Sequence, residues 1–111
     1  MMRTKRVSSV ILLKPEFEKE YRALHMAVWP SVIATLHQAC VRNFSIFLRG
    51  DLLVSYFEYV GDDLAESMRQ IANDPATREW WKLTDRCQQP VEGTHEGEWW
   101  SEMEEIFHVD L

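Results

Sequence analysis

The sequence predicts an α+β fold, an antiparallel sheet with helices packed on one face. Three observations carry that expectation. Strand-like and helix-like segments follow one another as strand, two helices, hairpin, two helices, strand, which mixes the two without a simple βαβ repeat. The two central strands, Val41 to Leu48 and Leu52 to Val60, are separated only by the tight turn Arg49-Gly50-Asp51 and so form a hairpin. Both faces of the first hairpin strand are apolar, with Phe44, Ile46 and Leu48 on one side and Val41 and Phe47 on the other. Helices cover one side of such a sheet; the other is expected to pack on a second copy of the chain, giving a homodimer.

Each element has a local reason. Arg6 to Lys14 (RVSSVILLK) is rich in β-branched and aliphatic residues and reads as the first strand. Pro15 suits the first turn of a helix, and Glu16, Glu18 and Glu20 favour its positive end. That helix is expected to reach about Ala27, where Trp29-Pro30 ends it, because the residue before a proline is pushed out of helical geometry. A second helix starts near Pro30-Ser31 and carries Val32, Ile33, Leu36 and Ala39 to about Cys40. After the hairpin, Gly61-Asp62-Asp63 breaks the chain and caps a helix from about Leu64 to Asn73, with Leu64, Met68 and Ile71 inward. Asp74-Pro75 opens another, Ala76 to about Cys87. Gln88 to Gly97, with Pro90 and two glycines, reads as a loop. The final segment, Trp99 to Val109, is expected to end as a strand over Met103 to Val109.

At 111 residues the chain is expected to be one domain, residues 1–111. Twelve Lys and Arg against eighteen Asp and Glu give a net charge of −6, which argues against nucleic acid or an anionic membrane as partner and fits a neutral small molecule. No apolar run approaches the roughly 20 residues that span a bilayer. Cys40 and Cys87 lack CxxC spacing and no leader-like segment opens the chain, so the expected setting is reduced and cytoplasmic. His37, His95 and His108 have no ligand-like spacing, so no metal is expected. The four glycines are scattered at turns and form no phosphate loop.

The stretch Glu20 to Pro30 holds the chemistry. Tyr21 and His25 are four residues apart, so on a helix they sit one above the other, on the stripe shared by Phe17, Leu24 and Val28. A phenol and an imidazole on an inward face must be hydrogen-bonded to protein or must line a pocket. Imidazole gives and takes protons near neutral pH. Five tryptophans are many for this length, and two adjacent pairs, Trp80-Trp81 and Trp99-Trp100, account for four. One member of each pair is expected to face the core, leaving the other for a pocket or partner surface. Trp99-Trp100 is assigned to a domain or dimer interface.

Four motifs then stand in register: Tyr21-x-x-x-His25-x-x-x-Trp29-Pro30, the strand Asn43-Phe44-Ser45-Ile46-Phe47-Leu48, Trp80-Trp81 after Asp74-Pro75, and the ending Met103-Glu104-Glu105-Ile106-Phe107. In this order, over nearly the whole chain, they resemble the L-rhamnose mutarotase family. The resemblance implies a ferredoxin-like fold that dimerises sheet to sheet into a dimeric α/β barrel. It implies interconversion of the α and β anomers of L-rhamnose with no cofactor, with His25 as proton donor, Tyr21 binding the sugar beside it, and Trp80 and Trp81 contacting the sugar. Phe44 stands where the family often has tyrosine, which removes one hydroxyl donor and leaves L-fucose open as the alternative substrate. Two readings of other classes compete: a haem- or quinone-handling monooxygenase in a similar dimeric barrel, and a non-enzymatic dimeric binding module.

Overall fold

The computed structural model describes residues 3–111. The chain begins with β1 (Lys5–Leu13), turns through one 3-10 turn (Pro15–Phe17) into α1 (Glu18–His25), and continues into α2 (Pro30–Gln38). The hairpin β2 (Val41–Arg49) and β3 (Leu52–Tyr59) follows, then α3 (Leu64–Asn73) and α4 (Pro75–Asp85), and last the short strands β4 (Gln88–Gln89) and β5 (Ser101–Met103). The strand order is β2-β3-β1-β4, with β5 also on β1, and every pairing is antiparallel.

The local signals act as expected at most boundaries. Trp29 holds an extended conformation ahead of Pro30, which is the first residue of α2. Asp63 accepts the Glu66 N–H at 3.1 Å and starts α3; Asp74 accepts the Thr77 N–H at 2.9 Å and its hydroxyl at 2.8 Å and starts α4. Gly61 is needed for space: any side chain there would collide with the Tyr59 hydroxyl, which is buried between Ser67 Oγ at 2.8 Å and the Asp63 N–H at 3.0 Å.

The helices pack on one face of the sheet. Val7, Ile11 and Leu13 of β1 and Leu53, Ser55 and Tyr59 of β3 are buried there. One cluster joins Ile11, Leu13 and Leu53 to Tyr21 of α1 and to Cys87; a second joins Val41 to Ala39 and Ile71. Val41 therefore lies with Ile46 and Leu48 on the helix side, not on the opposite side from them as strict alternation predicts. The cause is a β-bulge between Arg42 and Ser45, where one extra residue reverses the alternation. Asn43 makes it possible by adopting φ +51°, and its side-chain amide donates to Glu58 at 2.7 Å. Phe44, still largely exposed, stacks on Phe57, centroids 5.8 Å apart.

Two further expectations are corrected. Gln88 and Gln89 are not loop: they pair with Leu13 and Leu12, and the Lys14 N–H bonds the Cys87 carbonyl at 2.8 Å. The predicted strand over Met103 to Val109 ends at Met103. Its register sets Met103 against Ser8, so Ile106 comes level with Lys5, the first residue of β1, and the later residues have no strand to pair with. Arg6 and Glu105 replace the ladder with a bidentate ion pair at 2.8 and 2.9 Å. Beyond it Ile106 and Phe107 are exposed.

The bulge has a measurable energetic signature. Asn43→Val should destabilise the protein by about 1–2 kcal/mol, since a β-branched residue resists the left-handed conformation, whereas Asn43→Gly should stay well below that. Urea denaturation of the two variants compares them directly; equal midpoints would mean that the conformation of residue 43 does not matter to stability.

Candidate functional site

Tyr21 and His25 end up as their spacing requires. Both are on α1, one turn apart, with ring centroids 4.3 Å apart and planes tilted by 35°. His25 is the last residue of the helix and half-buried, so its ring stands at the edge of the core and remains reachable from outside. The edge-to-face contact of His25 with Trp80 of α4, at 5.5 Å and 70°, closes a second side. Trp29, in the link between α1 and α2, packs edge-on against Trp80 at 5.3 Å. Three aromatic rings from three segments, Tyr21, Trp80 and, behind Trp80, Trp29, thus stand beside one imidazole.

The hydrogen bonding of that imidazole decides its chemistry. Nδ1 of His25 is 2.9 Å from the carbonyl oxygen of Tyr21. A carbonyl only accepts, so in the neutral ring Nδ1 carries the hydrogen and Nε2 carries the lone pair. The same bond holds the ring when Nε2 gains a proton. His25 can therefore take a proton at Nε2 and give it back without turning over.

Tyr21 is 5% exposed, and burial pushes its phenol up to about 12, partly offset by a hydrogen bond from Gln88. It is a neutral hydroxyl at physiological pH. Gln88 Nε2 donates to that hydroxyl at 3.0 Å, and Gln88 Oε1 accepts from the Trp99 indole at 2.8 Å. Trp99 is thus linked to Tyr21 through Gln88, and its neighbour Trp100 packs against the core. Nothing in the sequence flags Gln88, because a glutamine in a stretch with loop composition carries no signal.

The pair Trp80-Trp81 is split by the helix, on which adjacent side chains diverge by about 100°. Trp80 is 6% exposed and faces His25; Trp81 is 38% exposed and makes no ring contact with the set. An ion pair between Arg86 and Glu20 ties the end of α4 to α1. Its guanidinium holds the Glu20 carboxyl below the ordinary range, helped by the Cys87 thiol. Cys87 is fully buried and its thiol is pushed up to about 11, chiefly by burial, so it is an inert packing residue.

Two cavities lie elsewhere. One, of about 340 Å³, is lined by Thr35, Gln38, Gln70 and Asp74 among others; another, of about 250 Å³, lies beside Leu12 to Glu16. Neither is lined by His25, Tyr21 or Trp80.

A model of the L-rhamnose mutarotase family matches residues 6–109. The chain is 39% identical over 82 residues to the L-fucose mutarotase of Xanthomonas campestris pv. campestris, covering 72% of this chain and 65% of that one. To the L-rhamnose mutarotase of Oceanobacillus iheyensis it is 27% identical over 112 residues, covering 96% and 99%. Among solved structures, the L-rhamnose mutarotase of Formosa agariphila superposes with a TM-score of 0.72 at 22% identity, over 96% of this chain and 99% of that one, which establishes the shared fold.

The tautomer is directly observable. In the neutral ring, nitrogen-15 spectra should show His25 with Nδ1 protonated and Nε2 bare, the minor form of free histidine. An Nε2-protonated ring would remove the bond to the Tyr21 carbonyl and with it the assignment of Nε2 as the working nitrogen.

Proposed function

The chain belongs to the L-rhamnose mutarotase family, and on that premise we propose that it interconverts the α and β anomers of a 6-deoxy-L-hexose by acid–base catalysis at His25. The observation that carries the reading is the bond from Nδ1 to the Tyr21 carbonyl, which leaves Nε2 free beside the rings of Tyr21 and Trp80. L-rhamnose is the substrate favoured by the family match. L-fucose is the second reading, supported by the 39% identity to an L-fucose mutarotase and by Phe44 in place of a hydroxyl donor.

Mutarotation needs one net proton movement, from the anomeric oxygen O1 to the ring oxygen O5. Nε2 of His25 takes the O1 proton as the C1–O5 bond opens to the aldehyde, and the proton passes to O5. Rotation about C1–C2 presents the other carbonyl face, and the reverse transfers close the ring. The step uses neither electrons nor a co-reactant, and no cofactor or metal is invoked. Tyr21 holds a sugar oxygen beside the imidazole. The indole of Trp80 walls the apolar side, where burying the sugar's methyl group is worth about 0.8 kcal/mol. Trp81, exposed next to it, is assigned to the rim of the same site.

The working unit is a homodimer formed across the sheet face that the helices leave open, with one mutarotase domain, residues 1–111, in each protomer. Val10, Leu12, Leu52, Val54 and Tyr56 line that face, and Phe47 is 63% exposed on it. The chain has no helix long and apolar enough to cross a membrane among its described residues, and Cys40 and Cys87 are both free, in keeping with a reduced, cytoplasmic setting.

Saturation-transfer NMR of L-rhamnose and L-fucose tests the activity. His25→Ala should lower protein-dependent anomer exchange by roughly 10²–10⁴-fold, while Tyr21→Phe should keep the fold and lose part of the rate; unchanged exchange in the His25 variant would remove catalysis from that imidazole. Light scattering tests the assembly. The unmutated protein should show twice the 13.1 kDa chain mass, Phe47→Asp should shift it toward one, and a chain already monomeric at micromolar concentration would end the sheet-to-sheet reading.

A further inference from the structure

The bond pattern beyond Tyr21 assigns a direction to its hydroxyl. Gln88 is 3% exposed and bridges Tyr21 to Trp99. An indole N–H only donates, so the amide atom 2.8 Å from it is the carbonyl oxygen. That fixes the other end: the NH₂ group faces the Tyr21 hydroxyl at 3.0 Å, and it too only donates. The phenol oxygen is therefore engaged as an acceptor, while its own hydrogen has no acceptor among the described residues. Pairing of Gln88 with Leu13 on β1 and the Cys87 carbonyl bond to Lys14 hold the backbone of this relay rigid.

We propose that Gln88 and Trp99 are positioning residues that force Tyr21 to act as a hydrogen-bond donor to a sugar oxygen seated beside His25. The inference rests on the mutarotase reading and deepens it. Without Trp99 the amide rotates freely; with the amide reversed, its oxygen would capture the phenol hydrogen and the site would lose its donor. The high phenol pKa, held up by burial, fits the same role, because the hydrogen stays on the oxygen.

Two substitutions at Gln88 separate positioning from packing. Gln88→Glu keeps an acceptor for Trp99 but sets a second oxygen opposite the phenol, which must then donate into the protein. Gln88→Met removes both bonds and leaves the phenol hydrogen free. Anomer exchange of L-rhamnose and L-fucose is measured across sugar concentration, giving kcat and KM. Gln88→Met should lose roughly 5-fold in kcat/KM, the effect of one hydrogen bond, and Gln88→Glu should fall to the level of Tyr21→Phe. In a Tyr21→Phe background neither change should cost more, because both act through the missing hydroxyl. A packing role predicts the reverse order, since glutamate preserves both bonds, and a loss that persists in that background; either result overturns the proposal. Should Gln88→Glu fail to fold, Trp99→Phe carries the test: it should lose a few-fold, again only when Tyr21 is present, and an unchanged rate overturns the proposal. Unmutated protein that accelerates neither sugar sinks the mutarotase reading itself, whereas fast unmutated protein with indifferent Gln88 variants sinks this inference alone.

Discussion

A phenol placed in an apolar core is the constraint on which the rest of this molecule turns. Tyr21 sits among Ile11, Leu13, Leu53 and Cys87, and its hydroxyl would cost on the order of 1–3 kcal/mol if left without a partner. Gln88 meets that demand, which is why a two-residue strand is laid against β1 at that point. Gln88 in turn needs an acceptor satisfied, and Trp99 reaches in from the following loop. The backbone of the same Tyr21 holds the His25 ring. One residue thus joins the core, the far edge of the sheet and the imidazole.

Polar contacts mark both ends of the helix that carries the indoles. Asp74 starts α4, and Arg86 at its other end pairs with Glu20 of α1. The Arg86–Glu20 contact is exposed, and such pairs add little to stability alone. Trp80 rests edge-on against His25, and the edge-on stack of Trp29 on Trp80 flanks its other side. Preorganised walls matter for a sugar, whose ring offers only scattered hydroxyls and small apolar patches to bind.

The sheet divides the labour. Its inner face is continuous with the helices, whereas the outer face carries a mixed surface of Val10, Leu12, Val54 and Phe47. The bulge at Asn43 draws that line. By reversing the alternation it moves Val41 to the helix side and leaves the polar group of Asn43, Glu58 and Tyr56 on the outer side. A surface that is apolar at its centre and hydrogen-bonded at its edge is of the kind that associates with a copy of itself.

Sequence alone determined the order of the longer elements, the helix starts at Asp63 and Asp74, the hairpin, and the alignment of Tyr21 with His25, because each depends on neighbours within a few positions. It also determined which helix carries the indoles. Tertiary structure alone decided which of Trp80 and Trp81 turns toward the imidazole, since both suit a buried position and only the packing of α4 on α1 separates them. The bulge that moved Val41 depends on a left-handed asparagine that reads locally as an ordinary strand residue. Beyond Met103 the β5 ladder on β1 gives way to the ion pair of Glu105 with Arg6, nearly a hundred residues away. Gln88 gained its importance only from the two groups on either side of it, Tyr21 far back in the chain and Trp99 in the next loop. Short-range rules fix an element's kind and ends, but a partner across the fold is chosen by the closing of the whole.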